Sequence, residues 1–86
     1  MSDPVEEEQA YRRKQQQARL QRRMAELAAS VADTEEEVAA TFEAMSERRS
    51  GPDAERLRAK ADEARRYADK ERGRAACYNA GSGDDG

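Results

Sequence analysis

The stretch that decides the fold is Arg48-Arg49-Ser50-Gly51-Pro52-Asp53. Two basic side chains suit the last turn of a helix, where the dipole end is negative. Gly51 can take the left-handed conformation that closes a helix, and Pro52 cannot extend the helix before it. Pro52 does suit the first turn of a new helix, with Asp53 and Glu55 near its positive end. These six residues therefore read as one helix ending and another beginning. A connection this short makes antiparallel neighbours the default.

Upstream of the turn, Val5 to Ser50 contains neither Gly nor Pro. One helix through that stretch would be about 68 Å long at 1.5 Å per residue. Its start is marked by Asp3 as N-cap, Pro4 at the first helical position and Glu6 three after the cap, a capping-box arrangement. Glu6, Glu7 and Glu8 then lie where the dipole favours negative charge. Thr34 with Glu37 also reads as a capping box, which would split this helix and give three. The apolar phase runs through that point without a slip, so a continuous helix is the expectation. Downstream, helix 2 should run from Pro52 to about Tyr78, weakened by up to about 1 kcal/mol at Gly73. The tail from Asn79 to Gly86 has no apolar anchor and is expected to be disordered.

Outward from the turn, the apolar residues form two stripes. Leu20, Met24, Leu27, Val31, Thr34, Val38, Thr41 and Met45 recur at alternating steps of four and three in helix 1, with Phe42 beside them. Helix 2 carries Ala54, Leu57, Ala61, Ala64, Ala68, Glu71, Ala75 and Tyr78 at the same spacing. The expected helix–helix seam is therefore Leu20, Met24, Leu27, Val31, Val38, Phe42 and Met45 against Leu57, Ala61, Ala64 and Ala68, large residues on small ones.

Charge supports the same pairing. Residues 26–47 carry seven acids and no base, whereas residues 48–74 carry ten bases and six acids. Folding about Gly51 brings the acidic half of helix 1 onto the basic helix 2. It sets Glu43 near Arg58, and Glu35 and Glu36 near Arg65 and Arg66. Such exposed pairs are worth about 0–1 kcal/mol each, so they choose the partner more than they stabilise it. Glu71 is the one carboxylate on a stripe. It reads as facing solvent where the helices splay, with a basic residue of another chain as the alternative partner.

Helix 2 is used up at about residue 22 of helix 1. A basic overhang at about residues 5–20 should project beyond the hairpin, with six bases and no acid between residues 9 and 25. It is polar all round, and such a helix is unstable without a partner. Tyr11, Arg12, Arg13, Arg19, Arg22 and Arg23 are the candidate partner-binding residues, and fraying in solvent is the plainer alternative.

Composition limits the chemistry. The chain has 86 residues, no His, no Trp and one Cys, and 41% of it is charged. Of its apolar residues 17 are Ala, so 14 larger ones are too few for an ordinary globular core and self-association is expected. Without His the commonest general base and metal ligand are missing. Cys77 alone can form neither an internal disulfide nor a multi-Cys zinc site; it reads as a bystander thiol, with a cross-link between two chains as the alternative. No Gly-rich phosphate loop follows a strand. No catalytic, cofactor-binding or metal residue is identified, and the expectation is no enzyme, no cofactor and no small-molecule substrate. The acidic start is unlike a signal peptide, and no apolar run approaches the roughly 20 residues of a membrane span. A cytoplasmic protein without membrane partners follows.

Two partial resemblances carry alternatives. The basic segment 12–23 ahead of a heptad seam resembles a basic-region leucine zipper over residues 12–45, and implies nucleic-acid binding. The Asn-centred basic motif is absent, and Met, Val and Thr stand where regular Leu belongs. Tyr67-Ala68-Asp69-Lys70-Glu71 is similar to the Tyr-x-x-x-Asp/Glu pattern of type VII secretion substrates, small secreted helical hairpins. The turn Ser50-Gly51-Pro52 lacks that family's Trp-x-Gly.

The expectation is all-α: a long antiparallel helical hairpin, a two-helix coiled coil with a disordered C-terminal tail. Its domains are helix 1 over 1–50 with the basic overhang, helix 2 over 51–78 packed on residues 22–49, and the tail 79–86. The function expected is a non-enzymatic coiled-coil protein–protein interaction module. It would be a homo-oligomer or bind another helical protein, and its overhang would contact an acidic partner. Nucleic acid is the less favoured partner.

Overall fold

A computed structural model describes residues 3–83. Helix α1 spans Pro4–Glu47 and helix α2 spans Gly51–Gly83. They lie antiparallel in a hairpin 74 Å long and 16 by 13 Å across. Asp3 caps α1, its carboxylate accepting from the Val5 N–H at 3.1 Å. At the other end Arg48 and Arg49 donate their backbone N–H groups to the carbonyls of Met45 and Ser46. Gly51 then turns the chain with a φ of 66°, the only positive φ among the described residues. That conformation is costly for a residue with a Cβ, which is why glycine stands there.

Helix α1 passes through Thr34 unbroken. The Thr34 hydroxyl donates back to the Ser30 carbonyl at 3.1 Å instead of capping a new helix. Helix α2 runs past Tyr78 to Gly83, so the disordered tail expected from Asn79 onward is helical over its first five residues. The reason is tertiary: α1 continues alongside, and a Cβ on Gly81 would come within 3.2 Å of the Gln21 side chain. Residues 84–86 of that tail lie outside the described residues.

The core is a strip of alanines. Ala25, Ala28, Ala32 and Ala39 of α1 are buried against Ala54, Ala61, Ala64 and Ala68 of α2. Half-buried Ala18, Gln21, Glu35 and Phe42 and buried Ser46 complete the α1 side. This corrects the expected seam on α1. The residues at the interface are one position after Leu20, Met24, Leu27, Val31 and Met45, which are exposed, whereas Val38 and Phe42 do pack against the core as expected. The reason is shape. Two stripes of small residues let the backbones approach closely along their whole length, and close contact gains dispersion at every atom. Ser46 is tolerated there because its hydroxyl donates to the Glu43 carbonyl at 2.7 Å. Among the described residues no helix is long and apolar enough to cross a membrane.

Candidate interaction surface

The alanine seam divides the hairpin into two unlike faces. On one face the helices are tied by ion pairs. Arg65 meets Glu43, and Arg72 bonds Glu36 at 2.9 Å with Asp33 at 4.0 Å. Both main pairs lie one heptad further along α2 than a fold about Gly51 suggests, since Arg58 was expected opposite Glu43. The backbones do follow the expected alignment, with the short side chain of Ala39 buried among Ala61 and Ala64. The offset comes from the side chains. Each helical side chain leans toward its own N-terminus, so in an antiparallel pair the two lean toward each other. Long partners therefore meet when their Cα atoms are about two turns out of step.

These contacts set the local acid–base behaviour. The hydrogen bond from Arg65, with its charge, holds the Glu43 carboxyl below its ordinary value against a smaller desolvation effect. Arg65 is raised by Glu43, and Arg72 chiefly by its hydrogen bond to Glu36.

Glu71 corrects another expectation. It is buried on the α2 seam, 7% exposed, neither facing solvent nor waiting for a second chain. Arg74 of the same helix bonds it at 2.6 Å and supplies the compensating charge. Its carboxylate is therefore withdrawn from the surface that the Tyr67-to-Glu71 pattern would present. Tyr67 itself is exposed beside Val38 and Phe42.

The other face carries the large apolar residues. Leu20 is 60% exposed and Leu27 59%, and Met24, Val31 and Met45 are exposed as well. Val38 is half-buried against Ala39, Ala61 and Ala64. Between them stand Thr34 and Thr41, whose hydroxyls turn back to the carbonyls of Ser30 and Glu37. Their methyl groups are left to face outward. The stripe holds no charged residue from Leu20 to Met45 and is about 38 Å long at 1.5 Å per residue. Scattered exposed apolar side chains are ordinary, and here they stand in one row. Covering one such side chain fully is worth about 1.5–3 kcal/mol. The row therefore outweighs exposed ion pairs at about 0–1 kcal/mol each.

On α2 the same face is charged. Lys60 and Glu63 line a shallow groove with Val38, and Lys70, Arg74, Cys77 and Tyr78 line another further along. Leu57, expected at the seam, is half-buried near the turn.

The basic segment lies at the far end. Residues 3–17 are exposed throughout, so Tyr11, Arg12 and Arg13 stand on a helix with no neighbour in the hairpin. Arg12 is tied to Glu8 at 2.8 Å, and Gln15 donates to the Tyr11 hydroxyl at 2.8 Å. Arg19, Arg22 and Arg23 share a shallow surface with Glu26 where the hairpin begins. Among the described residues no group of three or more Cys, Asp or Glu is placed to hold a metal ion. The stripe residues missing from the intramolecular seam were visible in the sequence. Their one-position offset from the alanines was visible too, as a second row, Ala25, Ala28, Ala32 and Ala39, in the same four–three rhythm.

No protein-family model matches this chain, and neither does any curated protein or any solved structure.

Proposed function

We propose that the chain is a non-enzymatic helical interaction module that self-associates through the open stripe of α1. The basic overhang then carries contact with an acidic surface. One observation carries this reading: an uncharged row from Leu20 to Met45 lies exposed on a chain that is 41% charged. The alanine seam closes the hairpin with only Val38 of that row packed against it, so a second surface is needed to cover the rest. A helix with two adjacent apolar rows is suited to a bundle of more than two helices. The reading places the protein in the cytoplasm, where Cys77 stays a thiol.

Light scattering over a concentration series, with far-UV circular dichroism on the same samples, tests it. The mass should rise toward a multiple of 9.6 kDa as concentration increases. Leu27→Glu should remain a monomer at every concentration with unchanged helicity. A native chain that stays monomeric at the highest concentration would sink the reading.

A second reading is favoured by the exposed cluster Arg19, Arg22 and Arg23. It is nucleic-acid binding through residues 12–23. The affinity should then fall with salt, with a log–log slope of about 0.9 per phosphate contact on duplex DNA. Replacing Arg12, Arg13, Arg22 and Arg23 with Gln should abolish binding and leave the hairpin folded.

A further inference from the structure

We infer that the occupant of the stripe is the α1 stripe of a second copy, laid antiparallel, with the two turns at opposite ends of the pair. This rests on the self-association reading and adds its geometry. A two-fold pair requires a surface complementary to itself, and the stripe has that property. An axis between Val31 and Thr34 sets Leu27 opposite Val38 of the second copy, and Leu20 opposite its Met45. Met24 then faces Thr41, whose hydroxyl is already bonded to its own helix. Every apolar residue of the row meets another uncharged side chain.

The two competing arrangements fail on charge. Laying the stripe on α2 of the second copy would press Leu and Val side chains onto Lys60, Glu63, Lys70 and Arg74, which share that face. Taking those charges out of water costs more than covering the stripe returns. A parallel α1 pair would set the six bases of residues 9–25 against themselves and the seven acids of residues 26–47 against themselves. The antiparallel pair instead sets the basic end of each stripe level with the acidic end of the other, residues 18–22 against 43–47, while Glu43 itself stays with Arg65 on the opposite face. The shared length of about 38 Å and a helix width of about 10–12 Å give a footprint of some 400 Å² per copy. That is small for a specific interface, so the pair should be reversible and form at micromolar or higher concentration.

The test is a distance across the pair. A spin label is placed at the turn by Ser50→Cys in a Cys77→Ser background, and dipolar electron resonance is recorded where light scattering gives a dimer. The antiparallel pair puts the two labels about 50 Å apart, from 35 helical rises of 1.5 Å. The native chain labelled at Cys77, with no substitution, gives a second distance. There the two labels should be offset along the axis by about 22 Å. Labels within about 20 Å at Ser50 and level at Cys77, in a dimer, would overturn this arrangement and leave self-association standing. A mass of three or more chains would also overturn the two-fold pair. Monomeric mass with no dipolar signal would remove the self-association reading as well.

Discussion

Leu27 and Ala28 are neighbours in sequence, yet Leu27 is 59% exposed and Ala28 only 6%. The same contrast repeats at Met24 and Ala25 and at Val31 and Ala32. Two rows with one rhythm run side by side on α1, and the smaller residues take the inside. The lesson concerns what burial rewards in a two-helix hairpin. Each helix has only one neighbour, so a large side chain at the seam would hold the backbones apart and still leave one flank wet. Alanine on both sides closes the gap along much of the length. The large row then lies at the margin, where a further helix could cover it.

Changes at these neighbours should have opposite consequences. The largest effect on the hairpin is expected from Ala32→Leu, at a position that is 0% exposed. Forcing a larger side chain between close backbones should cost about 1–3 kcal/mol, read as a lower urea midpoint. Leu27→Ala, five residues away, should leave the monomer's midpoint nearly unchanged while weakening self-association. Because a two-fold pair loses the side chain twice, the dissociation constant should rise about tenfold or more. If the two variants behaved alike, the distinction between the rows would be lost.

The glycines sharpen the same point about local geometry. At neither Gly51 nor Gly73 would an added Cβ meet a packed neighbour within 4 Å. Space is therefore not the issue, and the backbone decides. Gly51→Ala, with its φ of 66°, should destabilise the hairpin by about 1 kcal/mol. Gly73→Ala, inside α2, should stabilise it by about 0.5–1 kcal/mol. Thermal unfolding of the two variants should therefore shift in opposite directions.

The smallest effect belongs to the ion-paired face. Glu43 has its carboxyl lowered by Arg65, so its contribution is present above the unfolded-state value and is lost as the pH falls through the folded one. A modest decline in stability below about pH 4 is expected on that account. Glu43→Gln should flatten its share of that decline and leave helicity at neutral pH unchanged.

Much of this molecule was legible from residues alone. The turn at Gly51-Pro52, the cap at Asp3 and the continuity of α1 follow from backbone rules that act over a few residues. The α2 stripe was legible because only one row on that helix carries Ala54, Ala61, Ala64 and Ala68 in regular phase. On α1 there were two candidate rows, and ranking them by side-chain size favours the row that lies open. The ion-pair register was not legible from a fold about the turn, since it depends on how Arg65 and Glu43 lean. Glu71 could not be placed either. Its burial depends on Arg74 reaching it from three residues along the same helix.

Local chemistry by itself determined that this chain forms two helices, where they break and that they run antiparallel. Those outcomes depend on φ restrictions, capping and charge over short distances. Only the tertiary structure decided which row of α1 faces α2. That choice depends on how closely two particular surfaces can approach, and closeness belongs to the pair of helices and to neither one alone.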